Sequence, residues 1–359
     1  MSLDFADLLM EVVSRRASDL HLSAGAPPTL RVRGRLQRVE GYPVLDSTET
    51  REIVYSILTG DQRQRLETNW QLDFAYSIPG HARFRVNAYY QRGAIGAAFR
   101  LIPFGLTSID ELGLPPAVHD FTRRPRGFVL VTGPTGSGKS TSLAAMIDEI
   151  NNTREEHIMT IEDPIEFLHA HKKCLVNQRE LGSDAQSFAE ALKAALRQDP
   201  DVILVGEMRD IETMSTALTA AETGHLVFAT LHTQDAAQTV DRIIDAFPSG
   251  QQGQVRMQLS VALQGIMTQQ LLPTADGSGR VAACEVLVPN PAVRNLIREG
   301  KTHQIYSVLQ TGAAQGMQTM DSALATLVRA GKISQALAES RSSSPGELGR
   351  LLGAGAMAA

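Results

Sequence analysis

A small α+β domain followed by an α/β domain built on a largely parallel sheet is the fold class predicted for this 359-residue chain. Three observations predict it. Apolar and polar residues alternate in several short stretches before residue 101, the period of half-buried strands. The octet Gly-Pro-Thr-Gly-Ser-Gly-Lys-Ser at 133–140 stands between an apolar run and a helix-like stretch. From 128 to 231 strand-like and helix-like segments take turns, as in sheets whose strands are joined by crossover helices.

The elements follow in order. Leu3, Leu8, Leu9, Val12 and Val13 form an apolar stripe that predicts a first helix, and residues 18–23 alternate as a strand. Pro27 and Pro28 break it, after which Leu30, Val32 and Leu36 continue with period two around Gly34. A helix is predicted at 48–58 and strands at 72–78, 82–90 and 94–101, so the first domain spans 1–101. Residues 102–126 carry Pro103, Gly105, Gly113, Pro115, Pro116 and Pro125 and read as a linker with one short helix. In the second domain strands are predicted at 128–131, 157–162, 201–205 and 225–231. Helices lie between them: one from Ser140 to about Asn151, one opened by Ser187 with Glu190 as a capping box and closed by Asp199-Pro200, and one at 211–222 ended by Gly224.

Composition narrows the function classes. With 43% hydrophobic and 20% charged residues the chain reads as ordinary globular protein. A net charge of −5 argues against broad nucleic-acid binding, and 5% aromatics with a single tryptophan, Trp70, argue against a stacking channel for single strands. Cys174 and Cys284 show no metal or disulfide spacing and read as buried thiols of a reducing cytoplasm. The first residues are acidic where a secretion signal is basic, and no apolar run has the length of a membrane span.

The octet is a phosphate-binding loop in its expected context. Gly133, Pro134, Thr135, Gly136, Ser137 and Gly138 let successive backbone N–H groups turn inward, and the following helix adds a favourable field for β- and γ-phosphates. Lys139 neutralises those phosphates, and Ser140, with Thr141 behind it, reaches Mg²⁺. The predicted ligand is therefore a nucleoside triphosphate with Mg²⁺. Ligands of such sheets sit at the carboxyl ends of the strands. There the second strand ends Glu162-Asp163-Pro164-Ile165-Glu166, the third Gly206-Glu207, and the fourth Leu231-His232, with His225 at its start. Hydrolysis of a γ-phosphate asks for a carboxylate to hold hydrated Mg²⁺ and another to activate water. Gly206 stands where an aspartate is usual, which leaves Glu207 for the metal.

Four stretches then carry a family resemblance: residues 133–141, 160–167, 197–210 and 223–233 resemble the Walker A, aspartate, Walker B and histidine boxes of the type II/IV secretion ATPases. Within these the chain resembles the PilT family of type IV pilus retraction ATPases, from Ala17 to Asp321. The resemblance implies a PAS-like N-terminal domain, a RecA-like core at 127–288 and a C-terminal helical region at 289–340, arranged as a homohexamer that binds ATP. It implies Glu207 as the metal-holding acid, Glu166 or Glu162 as the activator of water, and His232 with His225 near the γ-phosphate. Arg83 and Arg85 match arginines that reach toward nucleotide; an alternating strand with a solvated charged face explains them equally.

Retraction is favoured over assembly by the short first domain, by the lack of a tetracysteine module and by residues 291–299, which resemble a motif of retraction motors. That motif is either a relay to the pilus machine or an amphipathic helix packed through Val293, Leu296 and Ile297. The implied partners are copies of the chain itself, an inner-membrane platform protein and a second retraction ATPase, at the cytoplasmic face of the membrane. An assembly or secretion motor, a nucleic-acid translocase and a nucleotide-gated scaffold are the alternatives. Residues 341–359 are expected to hold a short helix and a flexible tail.

Overall fold

The computed structural model describes residues 5–78, 81–102 and 105–356, so Leu3, Pro103 and the last three residues of the expected tail lie outside the described residues. The chain divides into two compact units, Met1–Gly105 and Leu106–Ala359.

The first unit is an antiparallel sheet backed by helices. Its elements are α1 (Phe5–Ser14), β1 (Asp19–Leu22), β2 (Thr29–Val32), β3 (Arg35–Arg38), α2 (Ser47–Ser56), α3 (Gly60–Asn69), β4 (Gln71–Ile78), β5 (Ala82–Gln91) and β6 (Ala94–Ile102). The sheet order is β3-β2-β1-β6-β5-β4. Both two-residue hairpins, Arg33-Gly34 and Arg92-Gly93, place both turn residues at positive φ, which matches the twist of the flanking strands. In β5 Ala82, Phe84, Val86 and Ala88 enter the core, so the intervening Arg83, Arg85 and Asn87 take the other face. Helix α3 was not expected from the sequence because it buries only Leu66; its start is a capping box of Thr59 with Gln62.

The second unit is built on a seven-stranded sheet. Its elements are α4 (Ala117–Thr122), β7 (Gly127–Thr132), α5 (Lys139–Thr153), β8 (His157–Glu162), β9 (Leu175–Glu180), α6 (Phe188–Ala195), β10 (Val202–Val205), α7 (Ile211–Glu222), β11 (Leu226–Leu231), α8 (Ala236–Asp245), α9 (Ser249–Ala262), β12 (Leu263–Pro273) and β13 (Arg280–Leu287). Then come α10 (Pro291–Glu299), α11 (Ile305–Thr311), α12 (Met320–Arg329), α13 (Gln335–Arg341) and α14 (Pro345–Ala356). The order is β13-β12-β7-β11-β10-β8-β9, parallel except for β13 against β12. All six residues of β7 and of β11 are buried, as strands covered on both faces must be. Side-chain oxygens of Ser187, Asp210 and Asp235 cap α6, α7 and α8. The predicted strands correspond to β7, β8, β10 and β11; β9, β12 and β13 are additions.

One boundary differs from expectation. From Leu106 onward the expected linker belongs to the second unit, because Ile109, Leu114, Val118 and Phe121 are apolar and buried in its core. Phe121 packs so closely over β12 that a Cβ on Gly265 would lie 2.3 Å from its ring. The short helix expected within 341–359 is α14, and it docks: Leu348 is buried in one cluster with Leu324 and Leu272, and Tyr306 donates to Glu347 at 2.5 Å. Buried Asp321 holds the approach to α14 by accepting from the Ser342 hydroxyl and the Ser344 N–H.

In α10, Val293 and Ile297 are buried in the core and Leu296 packs partly against it, so the amphipathic packing is present. Arg294 of the same helix donates from Nη1 to Ser260 O (2.6 Å) and Val261 O (2.8 Å), carbonyls of the last turn of α9. Arg294→Ala is expected to lower unfolding free energy by about 1–2 kcal/mol with nucleotide affinity unchanged, measured by denaturant titration. Both cysteines are buried and unbridged, and burial pushes the Cys284 thiol up to about 12.

Candidate active site

The loop from β7 to α5 depends on glycine at each bend. Gly133, Gly136 and Gly138 have φ of 136°, 78° and 90°, conformations that residues with a Cβ rarely adopt. A Cβ on Gly133 would lie 2.3 Å from Gln269 O, and one on Gly138 2.8 Å from Gln269 Nε2. Gln269, nearly fully buried in β12, also accepts from the Ser142 hydroxyl at 2.7 Å, so it underlies the loop and ties it to α5. It was not singled out from sequence; only the neighbouring apolar pattern of β12 marks it.

Gly133 is buried, Pro134, Thr135 and Gly136 are exposed, and Lys139, Ser140 and Thr141 form the half-buried first turn of α5. No side chain caps α5, so its first N–H groups are directed at whatever the loop holds. The buried Ser137 Oγ has no hydrogen-bond partner. Lys139 Nζ donates to Gly133 O (2.8 Å) and Pro134 O (3.0 Å). Burial lowers the Lys139 pKa, and the nearby charges of Glu207 and Glu166 oppose that shift. An uncapped helix N-terminus, an unpartnered hydroxyl and a lysine folded over the loop fit a phosphate chain well.

The acids differ in surroundings. Glu162 ends β8 and accepts from the Thr160 hydroxyl (2.6 Å) and the Gln178 amide (3.1 Å). Burial nevertheless outweighs these donors and raises its pKa. Glu166 is exposed on the following loop, near enough for its charge to act on Lys139. Glu207 follows β10, its Oε2 paired with Arg209 (2.8 Å) and its Oε1 with His232 Nε2 (2.8 Å). The Arg209 bond above all holds Glu207 below the usual carboxylate range, so it is ionised at neutral pH. Gly206 precedes it because a Cβ there would stand 3.2 Å from Glu162 Cα.

The site thus brings together the loop, Lys139, Glu162, Glu166, Glu207 and His232 at one edge of the sheet. His225 is not among them. It precedes β11, its ring on Ala220 O, at the opposite end of a strand about 20 Å long. Arg83 and Arg85 lie in the first unit. Arg209 and Gln178 are additions, the first from a stretch already singled out and the second from an unpredicted strand.

For Mg²⁺ the available donors are the Ser140 hydroxyl and the Glu207 carboxylate. Among the described residues no cluster of three or more His, Cys, Asp or Glu is arranged to hold a metal. That set fits Mg²⁺, which takes one or two protein oxygens and fills its shell with phosphate and water. Among the described residues no helix is long and apolar enough to cross a membrane.

The type II/IV secretion system protein family matches residues 4–340. The chain is 52% identical to the type IV pilus retraction ATPase PilT of Pseudomonas aeruginosa over 343 residues, 96% of this chain and 99% of the relative. It is 55% identical over 314 residues to a twitching motility protein of Neisseria gonorrhoeae, 88% of this chain and 84% of that one. The crystal structure of the pilus retraction motor PilT with bound ADP superposes with a TM-score of 0.92 at 50% identity, covering 97% of this chain and 99% of that one. With a phosphate loop, facing carboxylates and a family match over nearly its whole length, this chain belongs to the type II/IV secretion system protein family.

Proposed function

We propose that this chain is an ATPase motor that powers type IV pilus retraction. The observation that carries the reading is the phosphate loop, its Lys139 within reach of the charges of Glu207 and Glu166, in a chain so close to retraction motors along its length. The loop N–H groups and Lys139 bind the β- and γ-phosphates. Ser140 and Glu207 would hold Mg²⁺, whose charge would offset that of the phosphates. His232 fixes the Glu207 carboxylate at Oε1 and so joins the ends of β10 and β11. Glu166 takes the proton of the attacking water; the new P–O bond forms at the γ-phosphorus as the bond to the β–γ bridging oxygen breaks, leaving ADP and phosphate. Glu162 is the anchor of that loop rather than its base.

The motor works as a homohexamer on an inner-membrane platform protein at the cytoplasmic face, alongside a second retraction ATPase. Arg83 and Arg85 assist at the nucleotide; His225 takes no part within its own chain's site. Surface pilus abundance tests the reading, in cells lacking the gene and in a Lys139→Ala strain. Excess pili that do not retract are expected in both. Bald cells would instead indicate an assembly motor, and unchanged piliation a different secretion machine.

A further inference from the structure

The loop that carries Glu166 is held from one side by β9, a strand whose sequence, Leu-Val-Asn-Gln-Arg-Glu, gave no apolar alternation. β9 pairs in parallel with β8, Thr160 opposite Gln178 and Glu162 opposite Glu180. Gln178 and Glu180, two apart, therefore share a face of the sheet. Gln178 spends its amide on the loop: Nε2 donates to Phe167 O (2.8 Å) and to Glu162 Oε1 (3.1 Å), while Oε1 accepts the His169 N–H (2.8 Å). Glu180 Oε2 accepts the Ile165 N–H at 3.1 Å. The backbone at 165, 167 and 169 is thus fixed by two side chains, and Gln178 alone touches two of those positions as well as Glu162.

We propose that Gln178 is a positioning residue for Glu166, setting where its carboxylate stands relative to Lys139. The inference rests on Glu166 as the base in the reading above. The chemistry of position 178 is specific. It needs a donor toward Phe167 O and Glu162 and an acceptor toward the His169 N–H, at the two ends of one planar group. Among side chains of this length only the amide supplies both at every pH. A carboxylate would face the Glu162 oxygen it now serves, and an apolar side chain would leave buried polar groups without partners.

The test is steady-state ATP turnover by the full-length protein with Gln178→Ala, Glu166→Gln and both together, with the double variant followed in enzyme excess. Misplacing a reacting group by about 1 Å costs about 100-fold, so Gln178→Ala is expected to lower kcat by that order with KM for ATP within about twofold. Added to Glu166→Gln it should cost nothing further, because the group it positions is gone. Wild-type kcat in Gln178→Ala, a parallel loss of kcat and ATP affinity, or a full additional loss in the double variant would each overturn the proposal. Wild-type turnover in Glu166→Gln would instead remove the assignment of the base, and this inference with it. Gln178→Glu guards against misfolding: it keeps the acceptor and regains a donor only when protonated. Its turnover relative to wild type should rise as pH falls from 8 to 6, and a flat ratio would count against positioning.

Discussion

Glu166→Gln is expected to lower saturating ATP turnover by about 10³-fold, while Glu162→Gln stays within about threefold of wild type, the difference between losing a general base and replacing a half-buried anchor. The two acids are four residues apart and chemically alike, yet their surroundings separate them. Glu162 is half-buried, accepts from the Thr160 hydroxyl and the Gln178 amide, and is pushed toward its neutral form. Glutamine copies the shape of that neutral acid and keeps an oxygen for the Thr160 hydroxyl. Glu166 is exposed beside Lys139, where a proton taken from water passes on to solvent. Phosphate release at saturating Mg-ATP, pH 7.5, measures both variants. The reverse order of losses would move the base to Glu162.

Glu285→Gln is expected to stabilise the second unit by about 3 kcal/mol at pH 8 and to change little at pH 4.5. Glu285 lies in β13, nearly fully buried, its Oε1 accepting the Ala236 N–H at 2.8 Å. It lines a cavity of about 280 Å³ with Asp235, Tyr306, Leu309 and Ser344. Burial chiefly, then the charges of Asp235 and Asp321, push its carboxyl up to about 7 from 4.5. The folded state therefore holds a proton that the unfolded chain releases between those values. Its contribution is fully present below pH 4.5 and is lost as pH rises through 7. Glutamine keeps the acceptor without the charge, so the advantage appears only where the native acid must ionise. Melting curves should show a rise of roughly 5–10 °C at pH 8 that shrinks on acidification. A gain independent of pH would mean that packing rather than charge is responsible.

The loop and its flanks were legible because their chemistry is local: three glycines at positive φ, a lysine at the helix start and an apolar strand before them. The start of α6 was legible for the same reason, from Ser187, whose hydroxyl accepts the Glu190 N–H. What failed was the reading of segments whose role is set by distant partners. β12 continues from α9 without a turn, and β9 is a polar edge strand, so neither shows the alternation of a half-buried strand. Prolines between 103 and 125 suggested a linker, yet Val118 and Phe121 meet strands of the core. The docking of the expected short helix α14 was not legible either, because Ser342 and Ser344 before it serve the distant Asp321. His225 shows the limit of reading a box as one unit, because a strand carries its two ends to opposite edges of a sheet.

The place of β7 has a consequence for how the chain acquires its shape as it is made. β7 precedes every other strand of its sheet, yet its two hydrogen-bonded neighbours are β11, from Leu226, and β12, from Leu263. The ribosome must add about a hundred residues before the first of these emerges and still more before the second. Until then Phe-Val-Leu-Val-Thr is an uncharged, proline-free apolar strand with both edges bare, the kind of segment that pairs with copies of itself. Such long-range closure is slow, since the entropy of the intervening loop is lost before contacts compensate for it. A product ending before residue 226 would carry the complete phosphate loop on a strand with neither neighbour. Such a fragment is more prone to aggregate than to bind nucleotide.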